Sequence, residues 1–148
     1  MTKSHCRLVR KISTMTELEI RNVQLCAGDK LKVAGFVLED AERFQIDLGC
    51  NADDLALHFN PRFNDDADEM VIVCNSKCDG CWDDEQREPS NSFRRGFKMK
   101  VTIKITGEGF QVELPNGQNI QFPNRRGQDT LTYVRVKGHF RVTSFKIC

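Results

Sequence analysis

The sequence lacks the features that mark membrane-spanning, secreted and nucleic-acid-binding proteins. No apolar run approaches the roughly 20 residues that a membrane-spanning helix needs. The basic residues near the N-terminus are not followed by the apolar segment of a signal peptide. No Asn-x-Ser/Thr acceptor for N-glycosylation occurs. The 22 Lys and Arg residues balance 21 Asp and Glu residues, so the net charge of +1 gives no reason to expect nucleic acid or an anionic membrane as partner.

The cysteines do not form a disulfide framework by count. Seven cysteines are an odd number, and a chain without a signal peptide is expected to keep its thiols reduced. Cys26, Cys50 and Cys74 lie in or beside apolar runs, where a reduced cysteine behaves as a small hydrophobic residue. We therefore expect a protein with reduced thiols.

Two stretches have a superficial likeness to metal sites. The spacing Cys74-x3-Cys78-x2-Cys81 matches an iron–sulfur motif, but the chain is too short and too rich in strands for the barrel of such enzymes. A zinc site would need a fourth ligand, which the sequence does not identify. The acidic run 64–69 lacks the central Gly and the final Glu of an EF-hand loop. No metal and no cofactor are predicted.

Strand patterns dominate, and helix patterns are almost absent. The expected strands are short runs bounded by Gly, Asn or Asp: Leu18–Leu25, Asp29–Leu38, Arg43–Gly49, Asp54–Phe63, Met70–Ser76, Phe97–Thr106, Gly109–Leu114, Gln118–Phe122 and Leu131–Ile147. Many short strands with tight turns indicate an all-β sandwich of two antiparallel sheets. Residues 1–15 lack alternation and are predicted to be a flexible extension before one domain at 16–148.

The most informative stretch runs from Asp54 to Phe63, where apolar and polar residues alternate with a period of two. In a strand this period sends the two classes to opposite faces of the sheet. Leu55, Leu57, Phe59 and Phe63 are expected on the apolar face. The other face carries an imidazole, an amide and a guanidinium, from His58, Asn60 and Arg62. Such a row is suited to binding a ligand rich in hydroxyl groups.

A second set of candidate binding residues follows this strand. Val73 and Asn75 share one strand face, and Trp82, the only tryptophan, lies in a stretch too polar for a core strand. The apolar face of a pyranose ring packs well on an exposed aromatic ring. Glu85 and Arg87 lie two residues apart and can pair on one face.

The full pattern resembles the carbohydrate-recognition motif of the galectins. It reads His-Phe-Asn-Pro-Arg, then Val-x-Asn, then Trp-x-x-Glu-x-Arg, and the resemblance covers nearly everything after about Met15. The resemblance implies a jelly roll, calcium-independent binding of lactose and N-acetyllactosamine, and no catalysis. It also implies a protein that is cytoplasmic, and extracellular after export without a signal peptide.

The resemblance also implies roles for the matching residues. His58, Asn60 and Arg62 would read the axial 4-hydroxyl of galactose, beside Trp82 stacked on the ring. Asn75 and Glu85 would contact the 6-hydroxyl, and Arg87, braced by Glu85, would contact the neighbouring glucose or N-acetylglucosamine. Val73 completes the eight residues predicted to form the carbohydrate-binding site.

Three features depart from the family pattern. Asp66 occupies a position where many dimeric galectins carry a second His, so it is predicted to modulate specificity. The Gly that often follows the Trp is here Asp83. Cys78 and Cys81 flank the approach to Trp82, and we expect their oxidation to weaken sugar binding.

Both terminal segments change the parity of their apolar residues. Such a change gives a strand apolar side chains on both faces, and in single-domain galectins the terminal strands form a twofold dimer interface. We predict a homodimer that uses Leu18, Ile20, Phe145 and Ile147. The alternative is a β-bulge in each strand that restores core parity.

Two other functions remain open at this point. One is an intracellular protein-interaction module with the galectin fold and little or no sugar binding, although every key position of the motif is occupied. The other is a carbohydrate hydrolase, for which the sequence identifies no carboxyl group with a raised pKa. The arginine pairs Arg94–Arg95 and Arg125–Arg126 are expected to be solvated loop residues.

Overall fold

The computed structural model describes residues 15–63 and 70–148, and the described residues form twelve strands in two antiparallel sheets. In chain order the strands are β1 (Thr16–Leu25), β2 (Lys30–Val37), β3 (Phe44–Asn51), β4 (Asp54–Pro61), β5 (Ile72–Cys78), β6 (Cys81–Trp82), β7 (Gln86–Glu88), β8 (Lys98–Ile105), β9 (Gly109–Glu113), β10 (Asn119–Pro123), β11 (Leu131–Gly138) and β12 (Phe140–Ile147). The described part contains no helix long and apolar enough to cross a bilayer.

The two sheets pack face to face as a jelly-roll sandwich. The seven-stranded sheet has the order β1-β11-β3-β4-β5-β6, with β7 also paired to β5, and the five-stranded sheet has the order β10-β9-β8-β2-β12. Alternation explains the core: in β2, for example, Leu31, Val33 and Val37 are fully buried and the residues between them are less so. The all-β sandwich predicted from the sequence is confirmed.

The long closing segment predicted as one strand divides into two. β11 ends at Gly138 in the seven-stranded sheet, and β12 starts at Phe140 in the five-stranded sheet. Gly138 has φ of 116°, and a Cβ there would lie 2.7 Å from Cα of Phe44. The chain can therefore cross between the sheets at this point only with glycine.

Both terminal strands contain the bulge that was the alternative to an outward apolar face. The register of β1 shifts between Arg21 and Leu25, where Asn22 has φ of 64°, and β12 shifts between Val142 and Ser144. These bulges restore core parity, so the change of parity is no evidence for an outward apolar face, and the dimer interface remains a prediction. Three of the four predicted interface residues, Leu18, Ile20 and Phe145, pack partly buried against the core, whereas Ile147 is 43% exposed.

A third bulge corrects the predicted apolar face of β4. Leu48 pairs with Leu57 but Gly49 pairs with Leu55, so Ala56 is the extra residue. Ala56 consequently joins Leu57 in the core cluster, while Leu55 is buried outside that cluster. The polar row is unaffected because it lies beyond the bulge.

Candidate functional site

A groove of about 370 Å³ crosses the outer face of the seven-stranded sheet. It collects the predicted polar residues from β4 to β6 and from the segment that follows, together with two from the start of β3 and the turn before it. Its lining consists of Arg43, Gln45, His58, Asn60, Arg62, Val73, Asn75, Trp82, Asp83 and Glu85. Seven of the eight predicted carbohydrate-binding residues therefore meet in one place, and Arg87 contacts one of them.

His58 is held by a buried carboxylate that the sequence reading missed. Its Nδ1 lies 2.7 Å from Oδ1 of Asp47, the residue directly opposite on β3. Asp47 is fully buried, and its Oδ2 accepts from Nε of Arg135 at 3.0 Å and from Nε2 of Gln45 at 2.7 Å. A carboxylate offers only acceptors, so Nδ1 is the donor, and Nε2 is the acceptor in the neutral ring.

Two hydrogen bonds hold the side chain of Asn60. Its Nδ2 donates to the backbone carbonyl of Phe44 at 2.7 Å, and its Oδ1 accepts from Nε of Arg62 at 3.0 Å. The side chain is buried, so its orientation is determined by these two partners. One amide hydrogen and one oxygen lone pair remain beyond these two bonds.

Trp82 is the aromatic wall of the groove. The residue is 49% exposed although it is the only tryptophan of the chain. Its ring centroid lies 4.6 Å from that of His58, and Nζ of Lys77 lies 4.7 Å from the ring centroid. Trp82 stands opposite Lys77 in the β5–β6 pair, which places the ring beside the polar row.

The ion pair predicted between Glu85 and Arg87 is present. Nε of Arg87 donates to Oε1 of Glu85 at 2.9 Å, and Arg87 stands opposite Val73 in the β5–β7 pair. Both side chains are more than 40% exposed, so the pair contributes little to stability. Its effect is to orient the Glu85 carboxylate at the groove.

The segment after Trp82 is anchored by a network that the sequence reading also missed. Oδ2 of Asp83 accepts from Oγ of Ser76 and from Nη2 of Arg126, both at 2.7 Å. The Ser76 hydroxyl and then the Arg126 guanidinium hold the pKa of Asp83 below its usual value. Nδ2 of Asn75 donates to the Asp83 carbonyl at 2.9 Å. Asp83 thus ties the tryptophan segment to β5.

Arg94, Arg95 and Arg126 are exposed, as expected of loop residues, but Arg95 and Arg125 also make contacts that are distant in sequence. Nη1 of Arg125 donates to Oγ of Ser76 at 3.1 Å and lies 3.3 Å from Oδ1 of Asn75. Arg95 donates to the carbonyls of Ala41 and Phe63. These contacts span 32 to 54 residues of sequence, so no local pattern could indicate them.

Cys78 and Cys81 stand directly opposite each other in the β5–β6 hairpin. The intervening Asp79 and Gly80 have φ of 51° and 78°, as a two-residue type I′ turn requires. Both thiols are free, and Cys81 is exposed. Cys74, by contrast, is buried among apolar residues, and burial raises its pKa to about 12. Cys74 thus lies in the apolar core, whereas Cys78 is partly exposed and Cys81 exposed, and this difference in burial disfavours the iron–sulfur interpretation.

Three predictions concern residues outside the described ranges. Asp66 as a modulator of specificity and the acidic run 64–69 lie between the two ranges, and the extension at 1–15 is described only at Met15. These remain predictions.

Comparison with known proteins agrees with the geometry. Residues 16–147 match the family described as galactoside-binding lectin. The chain is 41% identical over 131 residues to galectin-2 of Homo sapiens, covering 88% of the chain and 96% of that protein. It is 40% identical over 121 residues to galectin-1 of Mus musculus, covering 82% and 90%.

Solved structures show the same similarity. The crystal structure of chicken galectin 2 superposes with a TM-score of 0.83 at 45% identity, covering 88% of this chain and 97% of that one. CG-16, a homodimeric agglutinin from chicken liver, superposes with a TM-score of 0.86 at 34% identity, covering 90% and 100%.

Proposed function

The chain belongs to the galactoside-binding lectin family, the galectins, and from this premise we propose that it binds β-galactosides of the lactose and N-acetyllactosamine type in the groove of the seven-stranded sheet. The observation that carries the proposal is the row of His58 and Asn60 beside the half-exposed ring of Trp82. The protein acts as a lectin and not as an enzyme, and binding needs no calcium.

The polar row is suited to one galactose hydroxyl. In the neutral ring, Nε2 of His58 accepts a hydrogen bond from the axial 4-hydroxyl, while Asn60 and Arg62 supply the complementary amide and guanidinium groups. An epimer with an equatorial hydroxyl leaves these polar groups unmatched, two of which, on His58 and Asn60, are buried. Each unmade bond costs about 1–3 kcal/mol, which discriminates galactose from glucose.

The other groups complete a disaccharide site. Trp82 takes the apolar face of galactose, and the second amide hydrogen of Asn75, with the Glu85 carboxylate, binds the 6-hydroxyl. Arg87, paired with Glu85, reaches the neighbouring sugar. The open groove predicts weak binding of one disaccharide, with a dissociation constant on the order of micromolar to millimolar.

The function is tested on immobilised lactose in the presence of a chelator. We expect the protein to be retained, to elute with free lactose and not to elute with free sucrose. Passage without retention, or equal elution by both sugars, would refute the proposal.

Weak single sites become useful when two act together, and we propose that the protein cross-links glycoconjugates as a homodimer. Its similarity to a homodimeric agglutinin supports this assembly. We expect sedimentation at tens of micromolar to give twice the 17.0 kDa chain mass. A mass of one chain would contradict it.

Ile147 is the exposed member of the predicted interface, so Ile147→Lys should weaken the dimer without disturbing the core.

Asp83 is predicted to support binding by positioning the Trp82 segment. Asp83→Asn keeps the shape but removes the charge that Arg126 contacts, so we expect lactose affinity to fall about threefold to tenfold. Asp84→Asn removes the same charge at the next residue, which is exposed, and should leave affinity unchanged. Titration calorimetry with both variants makes the comparison. An equal effect of the two substitutions would show that only net charge matters.

We further infer that oxidation of Cys78 and Cys81 weakens binding. Glutathione disulfide would take two electrons from the two thiols, releasing two glutathione molecules and leaving an intramolecular disulfide across the hairpin. Because Trp82 directly follows Cys81, drawing the two sulfurs together shifts the ring. We expect oxidised protein to elute earlier from lactose, and Cys81→Ser protein to be insensitive. Equal retention before and after oxidation of the parent protein would dismiss the idea.

A further inference from the structure

The outer face of the five-stranded sheet, which lies opposite the galactoside groove, concentrates positive charge. Its alternation buries Val101, Ile103 and Ile105 and turns the even-numbered residues of β8 outward. The face carries Lys30, Lys32, Lys98, Lys100, Lys104, Arg141 and Lys146, here called the lysine face. Among the described residues, this face has seven cationic side chains and one carboxylate side chain, Glu113, a net side-chain charge of +6. The whole chain carries +1, so everything else carries −5.

Several lysines of the lysine face occupy directly opposite positions on neighbouring strands. Lys30 stands directly opposite Lys104, and Lys32 directly opposite Lys146. Like charges in opposed positions destabilise a sheet. Among the residues that the structure describes, no carboxylate forms an ion pair with any of the six lysines. The fold therefore keeps a repulsion that an anionic ligand would relieve.

The lysine face is also concave. A groove of about 550 Å³ runs along it, larger than the galactoside groove, and five of the six lysines line it. Its floor includes the buried hydroxyl-bearing residue Thr102 between Lys100 and Lys104. Outward side chains two residues apart on one strand repeat at about 6.8 Å. The groove thus presents a row of ammonium groups at regular spacing.

We propose that the lysine face binds a sulfated linear polysaccharide. Sulfate groups carry a fixed negative charge and repeat along such a chain, as the ammonium groups repeat along β8 and β2. Lysine is a compact point charge that suits tetrahedral oxyanions without a demand for bidentate geometry. Because the two grooves lie on opposite sheets, a galactoside and a sulfated chain can be bound at the same time.

Two other polyanions fit the face less well. Proteins that hold single-stranded nucleic acid stack bases on aromatic side chains, and the groove lining contains no aromatic residue. A membrane surface is favoured by apolar side chains that insert beside the cations. The exposed Phe97 and Ile147 lie at opposite ends of the sheet and not along the groove. A flat lipid surface also cannot enter a concavity.

The probe is heparin, with the full chain at low ionic strength of about 50 mM salt, where exposed charges are weakly screened. Free lactose is present in excess, so the galactoside groove cannot account for binding. The test variant is Lys100→Gln/Lys104→Gln. The matched control, Arg21→Gln/Lys137→Gln, removes the same charge from exposed positions on the seven-stranded sheet. A cooperative urea transition, measured for each variant, shows that the variant is folded.

We expect the parent and the control to bind heparin, and the test variant to lose at least about tenfold in affinity while it keeps a cooperative urea transition. Four outcomes would overturn the proposal: no heparin binding by the parent, equal loss in both variants, equal binding of de-sulfated heparin, or tighter binding of anionic phospholipid vesicles or DNA. None of these outcomes bears on the galactoside site, so the two proposals fail independently.

Discussion

Replacing Trp82 with alanine is expected to abolish measurable lactose binding. The ring is half-exposed and lies 4.6 Å from His58, so it has no core partner to lose and its removal acts on the ligand. Stacking a pyranose face removes on the order of 100 Å² of apolar surface from water, worth about 2–3 kcal/mol. That is roughly a 30-fold to 150-fold loss of affinity from an already weak site.

The matched control is Phe97→Ala, which removes a similarly exposed aromatic ring outside the groove. Titration calorimetry should find the parent affinity for this control and no measurable heat for Trp82→Ala. Both variants should unfold at the parent's denaturant midpoint to within experimental error. Lactose binding that survives the loss of Trp82 would remove the ring from the site.

Replacing Asp47 with asparagine is expected to cost both stability and binding. Asp47 is fully buried beside Arg135, whose side chain is only 14% exposed, so neutralising the carboxylate leaves a nearly buried cation without its charge partner. Breaking such a pair destabilises a fold by about 3–5 kcal/mol. The asparagine amide can also donate a hydrogen bond to Nδ1 of His58. Nδ1 is then no longer required to carry the hydrogen, so Nε2 is no longer fixed as the acceptor. We expect lactose affinity to fall by about tenfold.

Asp53→Asn is the control for this change, since it removes the same charge from an exposed turn between β3 and β4. Urea denaturation measures the free energy of unfolding, and calorimetry on the folded protein measures lactose affinity. If Asp47→Asn and Asp53→Asn gave the same stability and the same affinity, the buried carboxylate would have no part in positioning His58.

The sequence predicts those groove residues whose placement depends only on their neighbours along the chain. A period of two places His58 and Asn60 on one strand face whatever the rest of the chain does, and Glu85 and Arg87 follow the same rule. The residues that support them could not be found this way. Asp47 reaches His58 only through the pairing of β3 with β4, and Arg126 reaches Asp83 across 43 residues of sequence.

The odd or even position of the apolar residues in the terminal strands was the least reliable local signal. The alternation of apolar residues changes in β1 and β12, which the sequence reading took as evidence for a second buried face. Extra residues at a bulge, two in β1 and one in β12, accompany the same pattern, and the positive φ of Asn22 shows where the first bulge lies. A bulge is set by the register with a distant partner strand, so the two explanations cannot be separated from a single strand's pattern.

Net charge was similarly uninformative. A value of +1 excludes nothing when one sheet face holds +6, because the alternation of strands gathers lysines that are dispersed along the chain. Lys30 and Lys104 are neighbours only in the folded sheet. The same alternation that builds the galactoside groove on one sheet thus builds the lysine face on the other.

The most direct test of the galactoside site uses the single tryptophan as a reporter. In a ¹⁵N-labelled sample the one indole N–H cross-peak belongs to Trp82 without further assignment. Lactose added in the presence of a chelator should shift that peak to saturation, and sucrose at the same concentrations should leave it in place. An indole peak that does not move with lactose, or that moves equally with sucrose, would contradict a galactose ring stacked on Trp82.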